Sequence, residues 1–265
     1  MEIKHNLSEL TFIIPFRIDS EERKDNLEYI LYLLTSNFTT NILLIEAPIP
    51  LIEPPTPSID SYQTKAAYYF QSTFRKNPNI IYYCKKPIYG DIFYRTQAIN
   101  TGIKMAKTPY IAIYDTDVFF KITNYMQAYE LLLTGIHAVY PYSGVFVDVE
   151  RSYIQNGIIK EAVTYAVESV GGGIFLNKTA YMEAGLENEH IIGWGAEDAE
   201  RYSRIKKLGY SVARIAGKCY HITHPRGINS SPANPYNENN LKEYHKVKDM
   251  DKQQLLSYIK TWGWK

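Results

Sequence analysis

Apolar runs alternate with helix-like segments from the first residues up to Asp117, and no other feature constrains the fold as tightly. Thr11-Phe-Ile-Ile-Pro15 reads as a buried strand. Asp19-Ser-Glu-Glu-Arg23 then starts a helix that runs through Asn26 to Leu34, with acids in its first turn. Asn41-Ile-Leu-Leu-Ile45 and Asn79-Ile-Ile-Tyr-Tyr-Cys84 are the next strands, followed by a helix from Arg95 to Met105 and the strand Tyr110-Ile-Ala-Ile-Tyr114. Such alternation predicts an α/β fold whose mostly parallel sheet is covered by helices on both faces. Pro48, Pro50, Pro54, Pro55 and Pro57 make 47–58 an extended loop. The second half changes character. Ala138-Val-Tyr140 and Val145-Phe-Val-Asp-Val149 are short strands, Gly171-Gly-Gly173 leads into Ile174-Phe-Leu176, and a helix is expected from Ala199 to Leu208. Strands are expected again over Tyr210 to Ile215 and Lys218 to Thr223.

At 265 residues and 45% hydrophobic, the chain can bury one large core, so a single domain is expected. Lys+Arg at 29 against Asp+Glu at 28 gives a formal charge of +1, which leaves no broad footprint for nucleic acid. Cys84 and Cys219 are far apart and lack CxxC spacing, against both a disulfide framework and a cysteine zinc site, and a reducing compartment is expected. The N-terminus shows no apolar stretch of signal length, and no segment approaches the roughly 18 apolar residues of a membrane span. A soluble, cytoplasmic chain is the expectation. Leu241, Tyr244, Val247, Leu255, Tyr258, Ile259 and Trp262 give the tail a helical spacing interrupted by charge, fitting a cap on the domain with at most peripheral membrane contact. The 24 tyrosines suit sugar faces, but Tyr, Lys, Asn and Ile are abundant together, as a compositional bias would produce.

Open parallel sheets bind ligands beyond the carboxyl ends of their strands, which is where Asp115-Thr-Asp117 falls. Breaking a sugar–phosphate bond releases a diphosphate whose charge a divalent cation can neutralise. Asp117 is expected to ligate such an ion, and Asp115 to accept hydrogen bonds from a ribose or from the ion's waters. Any two surface acids after a strand would match, so the pair does not decide the matter. His221-Ile-Thr-His224 adds imidazoles, and the mixed set suits manganese first and magnesium second. Positions three apart on one strand face opposite ways, so both histidines can hold one ion only if the strand ends between them, as Pro225-Arg-Gly227 argues. His221 alone also reads as a hydrogen-bonded strand histidine. Asp198 is the candidate general base, with Glu197 its rival, although both also suit the first turn of a helix. Gly193-Trp194-Gly195 before them supplies hinge-like glycines around an exposed aromatic. Gly171-Gly172-Gly173 allows close backbone approach to a sugar, or a tight turn. Arg17, after Ile14-Pro15-Phe16, and Arg95 are candidate contacts to a nucleotide or its pyrophosphate, or else internally paired arginines.

Taken together these segments resemble the β-1,4-galactosyltransferase family of inverting, manganese-dependent transferases of GT-A fold, including its bacterial capsule-type relatives. Phe12-Ile-Ile-Pro-Phe-Arg17 resembles the family's first-strand motif beside the uridine. Phe93-Tyr-Arg95 with Ala98-Ile-Asn100-Thr-Gly102 resembles its second nucleotide-contacting segment, and Asp115-Thr-Asp117 its acidic metal motif. Gly171-Gly-Gly-Ile-Phe-Leu-Asn-Lys178 and Trp194-Gly-Ala-Glu-Asp198 resemble the donor-sugar turn and the acceptor loop, and His221-Ile-Thr-His224 falls at the remaining metal ligands. The order of the motifs is the family's own, and the likeness spans most of the chain. It implies a nucleotide-binding half over 1–120, a donor and acceptor half over 121–238 and a helical tail over 239–265. By the same resemblance Pro15, Phe16, Arg17, Phe93, Arg95, Asn100, Asp115, Asp117, Gly172 and Trp194 serve the UDP-sugar, manganese sits on Asp117, His221 and His224, and Asp198 is the base. The acceptor implied is a saccharide or lipid-linked glycan. Ser169-Val170 stands where the galactosyl enzymes carry a bulky aromatic, leaving room for an acetamido group, so UDP-GalNAc competes with UDP-Gal as donor.

Two other readings compete. A haloacid dehalogenase-type phosphatase also places Asp-x-Asp after an apolar strand, although near the start of its fold and with no use for the histidine pair. A non-catalytic carbohydrate-binding protein accounts for the tyrosines and a cation but leaves Asp198 without a role.

Overall fold

The structure is a computed structural model that describes residues 4–47, 72–73, 77–85, 91–155, 158–159 and 162–265. Of the proline-rich loop expected over 47–58, everything beyond Ala47 lies outside the described residues.

The first half follows the alternation. Strand β1 (His5–Phe16) leads to α1 (Glu21–Asn37), β2 (Phe38–Glu46), β3 (Ile80–Cys84), α2 (Arg95–Met105) and β4 (Tyr110–Tyr114). Ser20 caps α1 by accepting from the backbone N–H of Arg23, with Glu21 and Glu22 in the first turn. Leu27, Ile30, Leu31 and Leu34 are the buried stripe that docks the helix. The following elements are β5 (Val118–Phe119), α3 (Ile122–Leu133), β6 (Ala138–Tyr140), β7 (Val145–Val149), the hairpin strands β8 (Ile154–Gln155) and β9 (Ile158–Ile159), and β10 (Val163–Ala166). Then come β11 (Gly173–Asn177), α4 (Lys178–Glu183), α5 (Glu197–Leu208), β12 (Val212–Arg214), β13 (Lys218–Ile222), α6 (Asn237–Asp249) and α7 (Lys252–Lys260). Helix α5 starts two residues earlier than Ala199, which draws the acidic pair into its first turn, and it ends on Gly209 at φ 93°.

Seven strands form the main sheet in the order β12-β6-β11-β4-β1-β2-β3. Its ladders are parallel except at β11, which runs antiparallel to β4 and β6. Helices cover both faces. A Cβ on Gly102 of α2 would meet Ile13 at 2.4 Å, so that helix presses backbone-close on the Ile13 side. The neighbouring Phe12 points the other way and packs its ring near Tyr125 of α3 and edge-on to Tyr114 and Phe175.

A second sheet, β10-β7-β13-β5, stands beside the first. The chain crosses between the two sheets at two places that matter. Residues 115–117 join β4 to β5, and residues 167–172 join β10 to β11. The two crossings are tied by Asp115 N–H donating to Gly172 O at 2.9 Å. The tail folds back as α6 and α7 onto α5 and buries Val247, Leu255, Ile259 and Trp262. No helix among the described residues is long and apolar enough to cross a membrane.

Candidate functional site

The seam between the sheets opens into a cleft of about 390 Å³, bordered by Pro15, Phe93, Asp115, Gly172, Trp194 and His221 among others. Its floor carries a three-residue donor set. Oxygen or nitrogen atoms of Asp117, His221 and His224 lie within 4.8 Å of one another. His224 Nε2 is 3.1 Å from Asp117 Oδ2, and His221 Nε2 is 4.0 Å from Asp117 Oδ1. Strand β13 ends at Ile222, between the histidines, and the backbone then turns so that both rings reach the same carboxylate. Ile222 N–H donates to Asp117 O at 2.7 Å, fixing this turn against the Asp-Thr-Asp crossing. The far nitrogens are also held: His221 Nδ1 is 2.7 Å from Asp148 Oδ1, and His224 Nδ1 is 2.8 Å from Pro225 O. One carboxylate and two imidazoles, with their outer nitrogens anchored, fit a borderline divalent ion. Burial pushes the Asp117 carboxyl up, but the hydrogen bond with His224 and the neighbouring His221, His224 and Arg23 prevail and hold it at about 2. It is an anion ready to ligate.

The cleft's other wall is a carboxylate cluster around Arg95, the first residue of α2. Its guanidinium lies 2.5 Å from Asp115 Oδ1, 3.6 Å from Glu197 Oε1 and 3.9 Å from Asp198 Oδ1. Burial and the nearby Asp198 raise the Glu197 carboxyl to about 7 against the pull of Arg95. Burial likewise raises Asp115, opposed by Arg95. Glu197 turns inward and accepts from Gly195 N–H at 2.9 Å, whereas Asp198, at the cleft wall, stays partly exposed. Asp198 is therefore the more open of the two to the cleft.

Trp194 sits in a loop built from left-handed backbone, with Gly193 at φ 71°, Gly195 at 113° and Ala196 at 68°. The ring is half-buried, not exposed as expected, and the loop is tied down: Asn234 and Asn240 both donate to Trp194 O, at 2.7 and 3.1 Å. Opposite, Gly172 at φ 80° has no room for a side chain, since a Cβ would lie 3.1 Å from Cys219 Sγ and from the Phe146 ring. Ser169 and Val170 line the cleft just before it.

Two expectations need correction. Asn100 does not face the cleft: it is buried, donates to Glu187 O at 3.1 Å and Glu189 Oε1 at 2.8 Å, and accepts from Glu187 N–H at 2.8 Å. Arg17 spends its fork on the carbonyls of Ala47, Asp91 and Ile92 at 2.9, 2.7 and 3.1 Å, binding loop ends to β1 instead of offering itself to a pyrophosphate. Phe16 is buried beneath Pro15, bordering a side recess of the cleft. Three residues that sequence reasoning missed are Asp148, Glu187 and Arg201. Arg201 carried a usable signal, lying one helical turn after Asp198. The phosphatase reading fits poorly, because Asp115 follows four strands of the main sheet and is occupied by Arg95.

The family model described as the N-terminal domain of galactosyltransferase matches residues 158–225, the stretch holding the glycine turn, the tryptophan loop and both histidines. Curated protein sequences contain no match. Among solved structures, the catalytic domain of Drosophila β1,4-galactosyltransferase 7 in complex with xylobiose is 16% identical with a TM-score of 0.51, over 93% of this chain and 82% of that one. GalNAc-T7 with UDP, GalNAc and Mn2+ is 13% identical with a TM-score of 0.60, over 90% of this chain and 47% of that one, so this chain spans about half its length. A mannosyltransferase from Pyrobaculum calidifontis in complex with GDP-Man and Mn2+ is 13% identical with a TM-score of 0.52, over 95% and 73%. These likenesses are of fold. The chain thus has the GT-A fold, and with the galactosyltransferase-type segment set at the heart of its cleft it is a glycosyltransferase.

Proposed function

We propose that this glycosyltransferase is inverting and metal-dependent, moving galactose or N-acetylgalactosamine from a UDP-sugar to a saccharide hydroxyl in the synthesis of a bacterial surface glycan, at the cytoplasmic side of the membrane. The observation that carries the reading is the convergence of Asp117, His221 and His224 on one floor of the cleft, with Asp198 on the facing wall. A manganese ion fits this donor set and would neutralise the charge that develops on the departing diphosphate. Pro15, Phe93 and Arg95 border the nucleotide end, and Asp115 is oriented by Arg95. Asp198 takes the proton of the acceptor hydroxyl as its oxygen bonds to the anomeric carbon. The carbon–oxygen bond to the diphosphate breaks, and its electron pair leaves with UDP. Attack opposite the leaving group inverts the centre.

Ser169 and Val170, which line the cleft beside Gly172, support a donor with a bulky 2-substituent. GalNAc-T7, of the same fold, was solved with UDP, GalNAc and Mn2+, which agrees with this choice. The test is a UDP-sugar panel with and without manganese, reading donor turnover and protection against thermal unfolding. UDP-GalNAc or UDP-Gal turnover that requires the metal supports the proposal. Metal-independent turnover, or protection by no uridine ligand, overturns it. Substituting Asp198→Asn is expected to abolish turnover while sparing UDP binding; unchanged turnover would show that the base lies elsewhere.

A further inference from the structure

We infer that Arg201 is a positioning residue that decides which oxygen of Asp198 is free to take the acceptor's proton, an inference that rests on the reading of Asp198 as the base. Arg201 is 1% exposed, and its fork is divided between two carboxylates. Nε and one terminal nitrogen grip Glu187 in a bidentate pair at 2.7 and 2.9 Å, while the other terminal nitrogen donates to Asp198 Oδ1 at 2.7 Å. A contact between residues three apart on one helix is by itself loose. Glu187 removes the slack. It belongs to the turn after α4, accepts from Tyr181 Oη–H at 2.5 Å, and has both backbone polar groups tied to Asn100 of α2. A continuous line of hydrogen bonds therefore runs from α2 through Glu187 and Arg201 to Asp198, and Arg95 at the head of the same α2 approaches the same Oδ1 at 3.9 Å.

Both cations thus address Oδ1, while Oδ2 has no hydrogen-bond partner among the described residues. Oδ2 is turned toward the glycine crossing: a Cβ on Gly171 would lie 2.9 Å from it. The oxygen left open is the one that faces the donor-sugar turn. A planar guanidinium held by a second carboxylate can impose this choice, because its donors are fixed relative to one another, whereas a lysine offers a single point charge. The same helix supplies a matched comparison. Arg204, equally buried, pairs with Glu200 at 2.8 and 3.2 Å but gives its remaining donors to the carbonyls of Ala184 and Leu186, away from the cleft.

The test compares Arg201→Lys with Arg204→Lys, reading turnover of the preferred UDP-sugar from the donor panel, its KM, manganese-dependent UDP binding by calorimetry, and melting temperature. Arg201→Lys is expected to lower kcat about ten- to a hundredfold with KM and UDP binding unchanged. Arg204→Lys is expected to lower the melting temperature while leaving kcat within about twofold. Should Arg201→Lys fail to fold, the neutral pair Glu187→Gln with Arg201→Gln, which strands no buried charge, carries the same comparison. An Arg201 variant that melts lower yet keeps kcat overturns the inference. Full turnover by Asp198→Asn alone removes the base itself, a failure distinguishable from that of the clamp.

Discussion

His221 and Asp148 are cross-strand neighbours in the parallel ladder of β13 and β7, with His221 Nδ1 2.7 Å from Asp148 Oδ1. The carboxylate can only accept, so Nδ1 donates to it, and Nε2 is the ring nitrogen turned toward Asp117. Replacing Asp148→Ala is expected to weaken manganese binding about 10- to 100-fold, measured by calorimetric titration of the free protein. Unaltered affinity would mean that the ring needs no support from the strand beside it.

Gly171→Ala tests the open face of Asp198. Its φ lies outside the left-handed region, so alanine keeps the backbone, but the new methyl would sit 2.9 Å from Oδ2. Stability is expected to change by no more than about 1 kcal/mol in urea titration while kcat drops about tenfold or more. Undiminished kcat would exclude Oδ2 as the reacting oxygen.

Glu197 gives a pH signature of the metal-free protein. Its carboxyl stands near 7 in the folded chain against 4.5 for the free group. The folded state therefore holds the proton more tightly, and this stabilisation is complete below pH 4.5 and disappears as pH rises through 7. Relative to Glu197→Gln, the parent chain should lose up to about 3 kcal/mol between pH 5 and pH 8. Parallel urea midpoints for the two proteins across that range would contradict the assignment.

Asn240, on α6, is fully buried and secures the tryptophan loop through Ile192 N–H at 2.9 Å, Ile192 O at 2.8 Å and Trp194 O at 3.1 Å. Asn240→Ala is expected to cost about 2 kcal/mol and to raise KM more than it lowers kcat, because Asn234 still holds the same carbonyls. A purely stability-related defect, with KM unchanged, would separate the tail from the loop.

The residues legible from the chain were those whose role follows from backbone geometry. Tyr110–Tyr114 and Arg95–Met105 form the strand and helix their periodicity indicates, and Asp117 falls beyond the end of a buried strand as the alternation requires. Pro225-Arg-Gly227 marked the end of a strand, and β13 does stop between the two histidines. Arg17 and Asn100 were misread because their motif positions say nothing about hydrogen-bond partners that arrive from residues 47, 91, 92, 187 and 189. Asp148 was invisible for the same reason, since an acid in a short strand looks like any solvated side chain until the register places it beside His221.

What the sequence by itself determined is the succession of strands and helices and the types of donor atom at their ends, because hydrophobic period and turn chemistry act over a few residues. Only the tertiary structure decided that the histidines meet Asp117, that Asn100 turns inward, and that Asp198 keeps one oxygen bound and one open. Those outcomes depend on directional contacts between distant segments, and a hydrogen bond exists only once both partners have been brought within about 3 Å and correctly aimed.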